Sequence, residues 1–334
     1  MLKNMTFVST QVRMTFIIAV CCCIAMIFGY FQIASTSAPL RTGADVIPYE
    51  AFVVRKDHFI PKILWRTSKF ELHEAPEAIH TSLSSAAKMN PDYTQVYVSD
   101  SNILTFISAE FPQYLRQYNS LLPGAYKADL FRLLILYKYG GVYNDIGHEY
   151  VVPLSEIISY GDEFVAATED NKMKSFQHAL HNSFIATYPN NPLVWAMIEC
   201  VVEDVGTCKY NSDPLDVTGP AALGHAFNAW KANQRCGRHA SFAGYDDKMP
   251  RGRTTVHGMQ MTTLSHDSQN RRLIYNGKTV INTKFKDYYK LLYNTDKDKS
   301  TYDKMWKARQ IYDVSQTNCE PTDTLVKREA QPLR

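Results

Sequence analysis

At 334 residues, with 45% hydrophobic and 21% charged side chains, the chain has a globular composition and can bury a sizeable core, and its 12% aromatic content excludes general disorder. A net charge of +3 with no run of five or more like charges excludes a nucleic-acid tail and a polybasic membrane patch, so no nucleic acid is expected as a partner. The length admits one large domain or two small ones.

From Met14 to Ala34 the chain reads MTFIIAVCCCIAMIFGYFQIA, 21 residues without a charge, enough to cross a hydrocarbon core as a helix. Lys3 and Arg13 precede it and no acidic residue does. That asymmetry makes residues 1–13 a cytoplasmic tail, residues 14–34 a transmembrane signal anchor, and the whole a single-pass type II membrane protein. The competing reading is a signal peptide cut around Ala34-Ser35-Thr36-Ser37-Ala38; against it, the apolar core of such a peptide spans only roughly 7 to 15 residues. Cys21, Cys22 and Cys23, inside the apolar segment, suit palmitoylation or packing. Cys200, Cys208, Cys236 and Cys319 form an even set for an oxidising compartment, open to three connectivities, and their spacing matches no zinc template. The Asn-x-Ser/Thr sequon Asn4-Met5-Thr6 lies on the cytoplasmic side, so no N-glycan is expected beyond the membrane.

Residues 35–58 are small and polar without periodicity and read as a stem, ahead of a catalytic-sized domain over residues 59–314. Strand and helix patterns then alternate: KILWRTS (62–68) as a strand, APEAIHTSLSSAAKMN (75–90) as a helix, TQVYVSD (94–100) as a strand, and SNILTFISAEF (101–111) as a helix capped by Asp100 or Ser101. In GAYKADLFRLLILYKYGG, Leu130, Leu133, Leu134 and Tyr137 recur at helical spacing, and Gly140-Gly141 ends the helix. VYND comes next as a short strand. EFVAAT (163–168) and NSFIAT (182–187) read as strands, residues 191–205 as a helix, 217–233 as a loop entering a helix at Pro220, and 271–285 as a hairpin around Asn276-Gly277. Residues 315–334 are polar and read as a flexible tail. The alternation suggests an α/β domain with a mostly parallel sheet, whose ligands gather beyond the carboxyl ends of the strands, where Asp145 falls.

Asp129 and Arg132, three residues apart, share a helix face. As a surface pair they would contribute only about 0.2–0.5 kcal/mol. Their helix is otherwise so apolar that it must be largely buried, and buried charges are tolerated only when paired or bound to something. A carboxylate such as Asp145 at a strand end suits sugar hydroxyls or an oxygen-liganded ion such as Mn²⁺ or Mg²⁺ bridging phosphates.

The series Lys127, Asp129, Arg132, Leu136, Gly140, Gly141, Tyr143, Asp145 resembles the hallmark of the DXD-motif sugar transferases, family 32 of the sequence-based glycosyltransferase classification, which is related to the large glucosylating toxins. IPKILWRT (60–67), NPDYTQVYVSD (90–100), NSFIAT with PNNP (189–192), VTGPAAL (217–223) and YDKMWKARQIY (302–312) are similar to other segments of that family in the same order, so the resemblance covers about residues 58–312. It implies a nucleotide-diphospho-sugar transferase fold of the GT-A type, a nucleotide-sugar donor (GDP-mannose or a UDP-sugar), and transfer with retention to a glycan, glycolipid or protein acceptor. The expected location is the Golgi or endoplasmic reticulum, with a luminal catalytic domain. Asp129, Arg132 and Asp145 would carry catalysis, and Trp65, Arg66 and Tyr143 would join them around the donor, Trp65 standing where the family usually has His.

One departure stands out: Gly147 replaces the second Asp of the motif. Three outcomes are open: Asp145 holding Mn²⁺ or Mg²⁺ with Glu149 or His148; weak or no metal use, with Arg and Lys facing the diphosphate; or a dead site. If the strand ran straight, Asp145, Gly147 and Glu149 would share one side, which makes Glu149 the favoured substitute ligand. His257 and His266 are candidates for a late metal-ligating histidine, against the commoner role of a surface residue. Thr218-Gly219-Pro220 reads as acceptor-side structure or as a plain turn, and Trp306 as an anchor for the tail. A non-catalytic homologue binding a sugar nucleotide or glycan as a partner subunit is the alternative to an active enzyme.

Overall fold

The computed structural model describes residues 41–42, 59–169, 179–211, 213–234, 252–284 and 302–317. The expected cytoplasmic tail, the Met14–Ala34 anchor, most of the stem, Cys236, Cys319 and residues 318–334 lie outside the described residues. Among the described residues no helix is long and apolar enough to cross a membrane.

Chain order begins β1 (Arg41–Thr42), β2 (Ile63–Thr67), α1 (Glu77–Met89), β3 (Thr94–Val98) and α2 (Asp100–Glu110). The first strand falls inside the expected stem and extends the sheet edge, Arg41 opposite Val96. Ser99, not Asp100 or Ser101, caps α2, because the Asn102 side chain bonds back to the Ser99 amide and closes a capping box. A short α3 (Leu115–Ser120), unmarked by any strong periodicity, precedes α4 (Gly124–Tyr139). Gly140 stops α4 at φ 65°, where a Cβ would lie 2.8 Å from the Thr187 carbonyl oxygen, so only glycine fits both the backbone angle and the space.

The remaining elements are β4 (Gly141–Asn144), β5 (Glu149–Tyr150), β6 (Phe164–Glu169), β7 (Leu180–Thr187), α5 (Pro192–Gly206), α6 (Pro220–Lys231), β8 (Gly252–Val256), β9 (Met259–Asp267), β10 (Arg272–Tyr275), β11 (Lys278–Asn282) and α7 (Tyr302–Lys307). One sheet joins the strands in the order β1-β3-β2-β4-β7-β6-β9-β10-β11-β5, with β8 beside β9. Only residues 145–148 separate β4 from β5, yet the two stand far apart in that order, so the sheet curls back on itself.

The expectation of a mostly parallel sheet is corrected. Parallel pairing joins β1, β3, β2 and β4, and again β6 with β9; β7 runs against both β4 and β6, and β8, β10, β11 and β5 pair antiparallel. The physical reason is connection length. Residues 170–179 are too few for the crossover of about a dozen residues that parallel neighbours need, and β8–β9 and β10–β11 are tight hairpins. Asn276 (φ 49°) and Gly277 (φ 76°) make the β10–β11 turn as expected.

Strand alternation sends successive side chains into two cores. Ile63, Trp65, Phe164, Ala166 and Ile185 join the cluster of α4, α5 and α6, whereas Leu64, Val165, Ala167, Phe184 and Ala186 join Tyr150, Leu154 and Ile157 on the opposite face. The sheet is thus a buried middle layer, and its edge at the carboxyl ends of β2, β3 and β4 is left for a ligand.

Candidate active site

A hollow of about 760 Å³, within the size range of ligand pockets, opens at that edge. Thr67 and Ser68 at the end of β2, Asp100 after β3 and Asp145 after β4 line it because their strands run parallel. The antiparallel β7 contributes its opening residues instead, His181, Asn182 and Ser183.

Three polar side chains meet in this hollow. Arg132 Nη2 lies 2.9 Å from Asp129 Oδ1, and Arg132 Nη1 lies 3.5 Å from Asp145 Oδ1. Helix α4 supplies the first two on one face and the strand end supplies the third. Arg132 also donates to the Asn182 carbonyl at 2.5 Å and stacks 4.6 Å above the Tyr143 ring. Asp129 accepts from Asn182 Nδ2 and Thr218 Oγ1, both at 2.8 Å. Burial raises the Asp129 carboxyl to about 6, against the lowering effect of Arg132, Thr218 and Asn182. The same acids and Tyr143 raise Arg132 further, outweighing its burial, so it stays charged. Tyr143, sealed beneath the guanidinium, is pushed well above its ordinary value by burial first and then by Asp145. The side chain of Asp145 is 39% exposed, against 5% for Arg132 and 11% for Asp129, so of these three it is the one most open to a ligand.

Two of the expected donor contacts lie elsewhere. Trp65 and Arg66 do not line the hollow, because β2 is covered on both faces. Trp65 Nε1 donates to the Gly140 carbonyl at 2.8 Å. Arg66, with no exposed surface, donates to the carbonyls of Asp145, Ile146 and His148 at 3.0, 3.0 and 3.1 Å and to Ser82. Its work is to hold the turn that presents Asp145.

That turn also displaces Glu149. His148 N bonds to the Asp145 carbonyl at 3.0 Å, so the chain bends after Asp145 instead of continuing as a strand. Glu149 starts β5, where it accepts from Asn282 Nδ2 at 3.3 Å, and it does not line the hollow. The expectation that it shares a side with Asp145 is therefore corrected.

His148 does line the hollow; burial first, then Arg66, depresses its basicity, and its Nδ1 is 2.5 Å from Asn144 Oδ1. The His181 ring lies 6.4 Å from His148 and 4.1 Å from His266, which also faces the hollow. His257 is remote from it, in the β8–β9 turn, near the Lys231 carbonyl. Trp306 bonds to the Tyr210 carbonyl at 2.6 Å and is a packing anchor. Asn182 and His181 carried no motif of their own; the first residue of NSFIAT was the available signal.

The donor set does not fit a divalent cation at the motif position. Asp145 is paired with Arg132, Gly147 has no side chain, Glu149 is turned to Asn282, and among the described residues no three His, Cys, Asp or Glu side chains are arranged to hold a metal.

The sheet edge, the buried acid–guanidinium pair and the exposed carboxylate line one open hollow. Residues 76–164, which contain α4, β4 and the Asp145 turn, match the family model described as the glycosyltransferase sugar-binding region containing DXD motif. Inositol phosphoceramide mannosyltransferase 3 of Schizosaccharomyces pombe is 39% identical over 87 residues, 26% of this chain and 24% of that protein. The initiation-specific alpha-1,6-mannosyltransferase of Candida albicans is 32% identical over 104 residues, 30% of this chain and 27% of that protein. The chain thus matches about a quarter of the length of such relatives. Among solved structures, PaToxG Glycosyltransferase is similar with a TM-score of 0.41 and 18% identity, over 52% of this chain and 70% of that one.

Proposed function

We propose that the chain is a glycosyltransferase of the GT-A type, moving a mannosyl or related hexosyl group from a nucleoside diphosphate to a hydroxyl of a glycan or glycolipid. The observation that supports this reading is the meeting of Asp129, Arg132 and Asp145 in one open hollow within the matched sugar-binding region. Asp145 accepts hydrogen bonds from the donor's hydroxyls, while Arg132 and the largely buried Asp129 fix its orientation. Transfer proceeds with retention: the acceptor oxygen attacks the anomeric carbon on the face from which the diphosphate leaves, the bond from that carbon to phosphate oxygen breaks, and the departing phosphate takes the acceptor's proton. The chain's contribution is positioning and stabilisation of leaving-group charge.

The proposed location is the secretory pathway, with residues 14–34 as the membrane anchor. The disulfide-bonded state of Cys200 and Cys208 supports an oxidising compartment. Transfer assayed with a panel of GDP- and UDP-sugars tests the function. Turnover with one donor, reduced at least about 100-fold by Asp145→Asn with unchanged thermal stability, is the expected result. Gly147 favours a second reading, a non-catalytic sugar-nucleotide binder, which nucleotide binding without turnover on any donor would support.

A further inference from the structure

We infer that the donor's diphosphate is met by side chains of this chain, Arg271 and Lys284 with His266 beside them, in place of a divalent cation on the Asp145 turn. The inference rests on the glycosyltransferase reading and adds the groups that bind its leaving group.

At the motif position Asp145 is paired with Arg132 and has no second carboxylate at position 147 or 149. A diphosphate bound there still needs its charge offset. A second wall of the hollow has the composition to do so. The ends of β9, β10 and β11 bring His266, Arg271 and Lys284 to the same space. Thr283 N donates to the Arg271 carbonyl at 2.8 Å across the open end of the hairpin, so Arg271 and Lys284 emerge within one residue of the same cross-strand bond. Arg271 is held at φ 55°, a region that glycine and asparagine enter more readily than arginine.

Adjacent Arg272 has a different task, bonding to Asp267 at 3.1 Å and reaching Thr279 at 3.4 Å within the strands. Two arginines in succession are thereby divided between the sheet and the hollow. His266 closes the row, its ring 4.1 Å from His181. Asp129, Arg132 and Asp145 thus stand on one wall, and Arg271 and Lys284 add two cations on another that carries no carboxylate among the described lining residues, an arrangement suited to a sugar joined to a diphosphate. A guanidinium fork and an ammonium group both bind phosphate oxygens, and they strengthen that hold as charge builds on the leaving group.

The test is calorimetric titration of the full-length protein with GDP and UDP, in EDTA and then in Mn²⁺, alongside the matching monophosphates. One diphosphate is expected to bind in EDTA with an affinity within about threefold of that in Mn²⁺. Arg271→Ala with Lys284→Ala should weaken that diphosphate by about tenfold or more and the monophosphate by less than about threefold, while Arg271→Lys with Lys284→Arg holds both within about threefold. Neither alanine removes a core side chain, and thermal melts of each variant check that it is folded. A gain of about tenfold or more on adding Mn²⁺, or diphosphate affinity unchanged in the double alanine variant, overturns this inference and leaves the glycosyltransferase reading standing. Failure of both nucleotides to bind, with no turnover on any donor, overturns both.

Discussion

Burial and the Arg132 guanidinium act in opposite directions on Asp129, and burial prevails, leaving the carboxyl at about 6. The folded chain therefore takes up a proton between about pH 4 and 6 that the unfolded chain does not hold. This group's contribution to stability is present in full below the unfolded value and is lost as pH rises through about 6. Urea midpoints from pH 4 to 7 should fall more steeply in the wild type than in Asp129→Asn. Activity should move the other way, because the ionised form is the one that accepts from Thr218 and Asn182: kcat/KM is expected to decline as pH drops through about 6. Thr218→Val removes a bond that lowers this carboxyl, so the acid limb of the profile should shift to higher pH. Arg66 gives a contrasting case. A fully buried cation that binds three carbonyls of one turn cannot be shortened without stranding them, so Arg66→Met should cost about 1–3 kcal/mol or more in folding stability and lower transfer with it, measured by chemical denaturation and donor turnover.

The block from α4 through β4 was legible in the sequence because its determinants are local: a helical stripe, a double glycine, then a strand ending on an acid. Gly140→Ala tests the block directly. With φ at 65° and a Cβ 2.8 Å from the Thr187 oxygen, it should destabilise by about 1–3 kcal/mol and lower the melting temperature. The path of the chain beyond Asp145 was not legible. The bend that removes Glu149 from the hollow depends on Arg66, some 80 positions earlier, collecting the carbonyls of residues 145, 146 and 148. Extrapolating β4 in a straight line could not reveal that. The resemblance that puts Trp65 and Arg66 at the donor carries no information on the layers that cover each face of β2. His181, Asn182 and the Arg271–Lys284 pair belong to strand ends brought together only by long-range sheet pairing.

At the scale of the whole molecule, the α/β alternation was readable and the strand directions were not, since direction is set by connection length and by neighbours distant in sequence. The carboxyl-terminal segment 302–317 has its own place in this assembly. Leu121 pairs with Tyr312, Leu122 N bonds to the Ile311 carbonyl, and Asp313 N bonds to Ser120, just ahead of α4, while Tyr302 itself lines the hollow. Anyone trimming the protein for crystals would find this end costly to remove: a chain stopped at residue 301 loses the splint against which α4 begins, and should show weaker nucleotide retention even where Asp129, Arg132 and Asp145 are all intact.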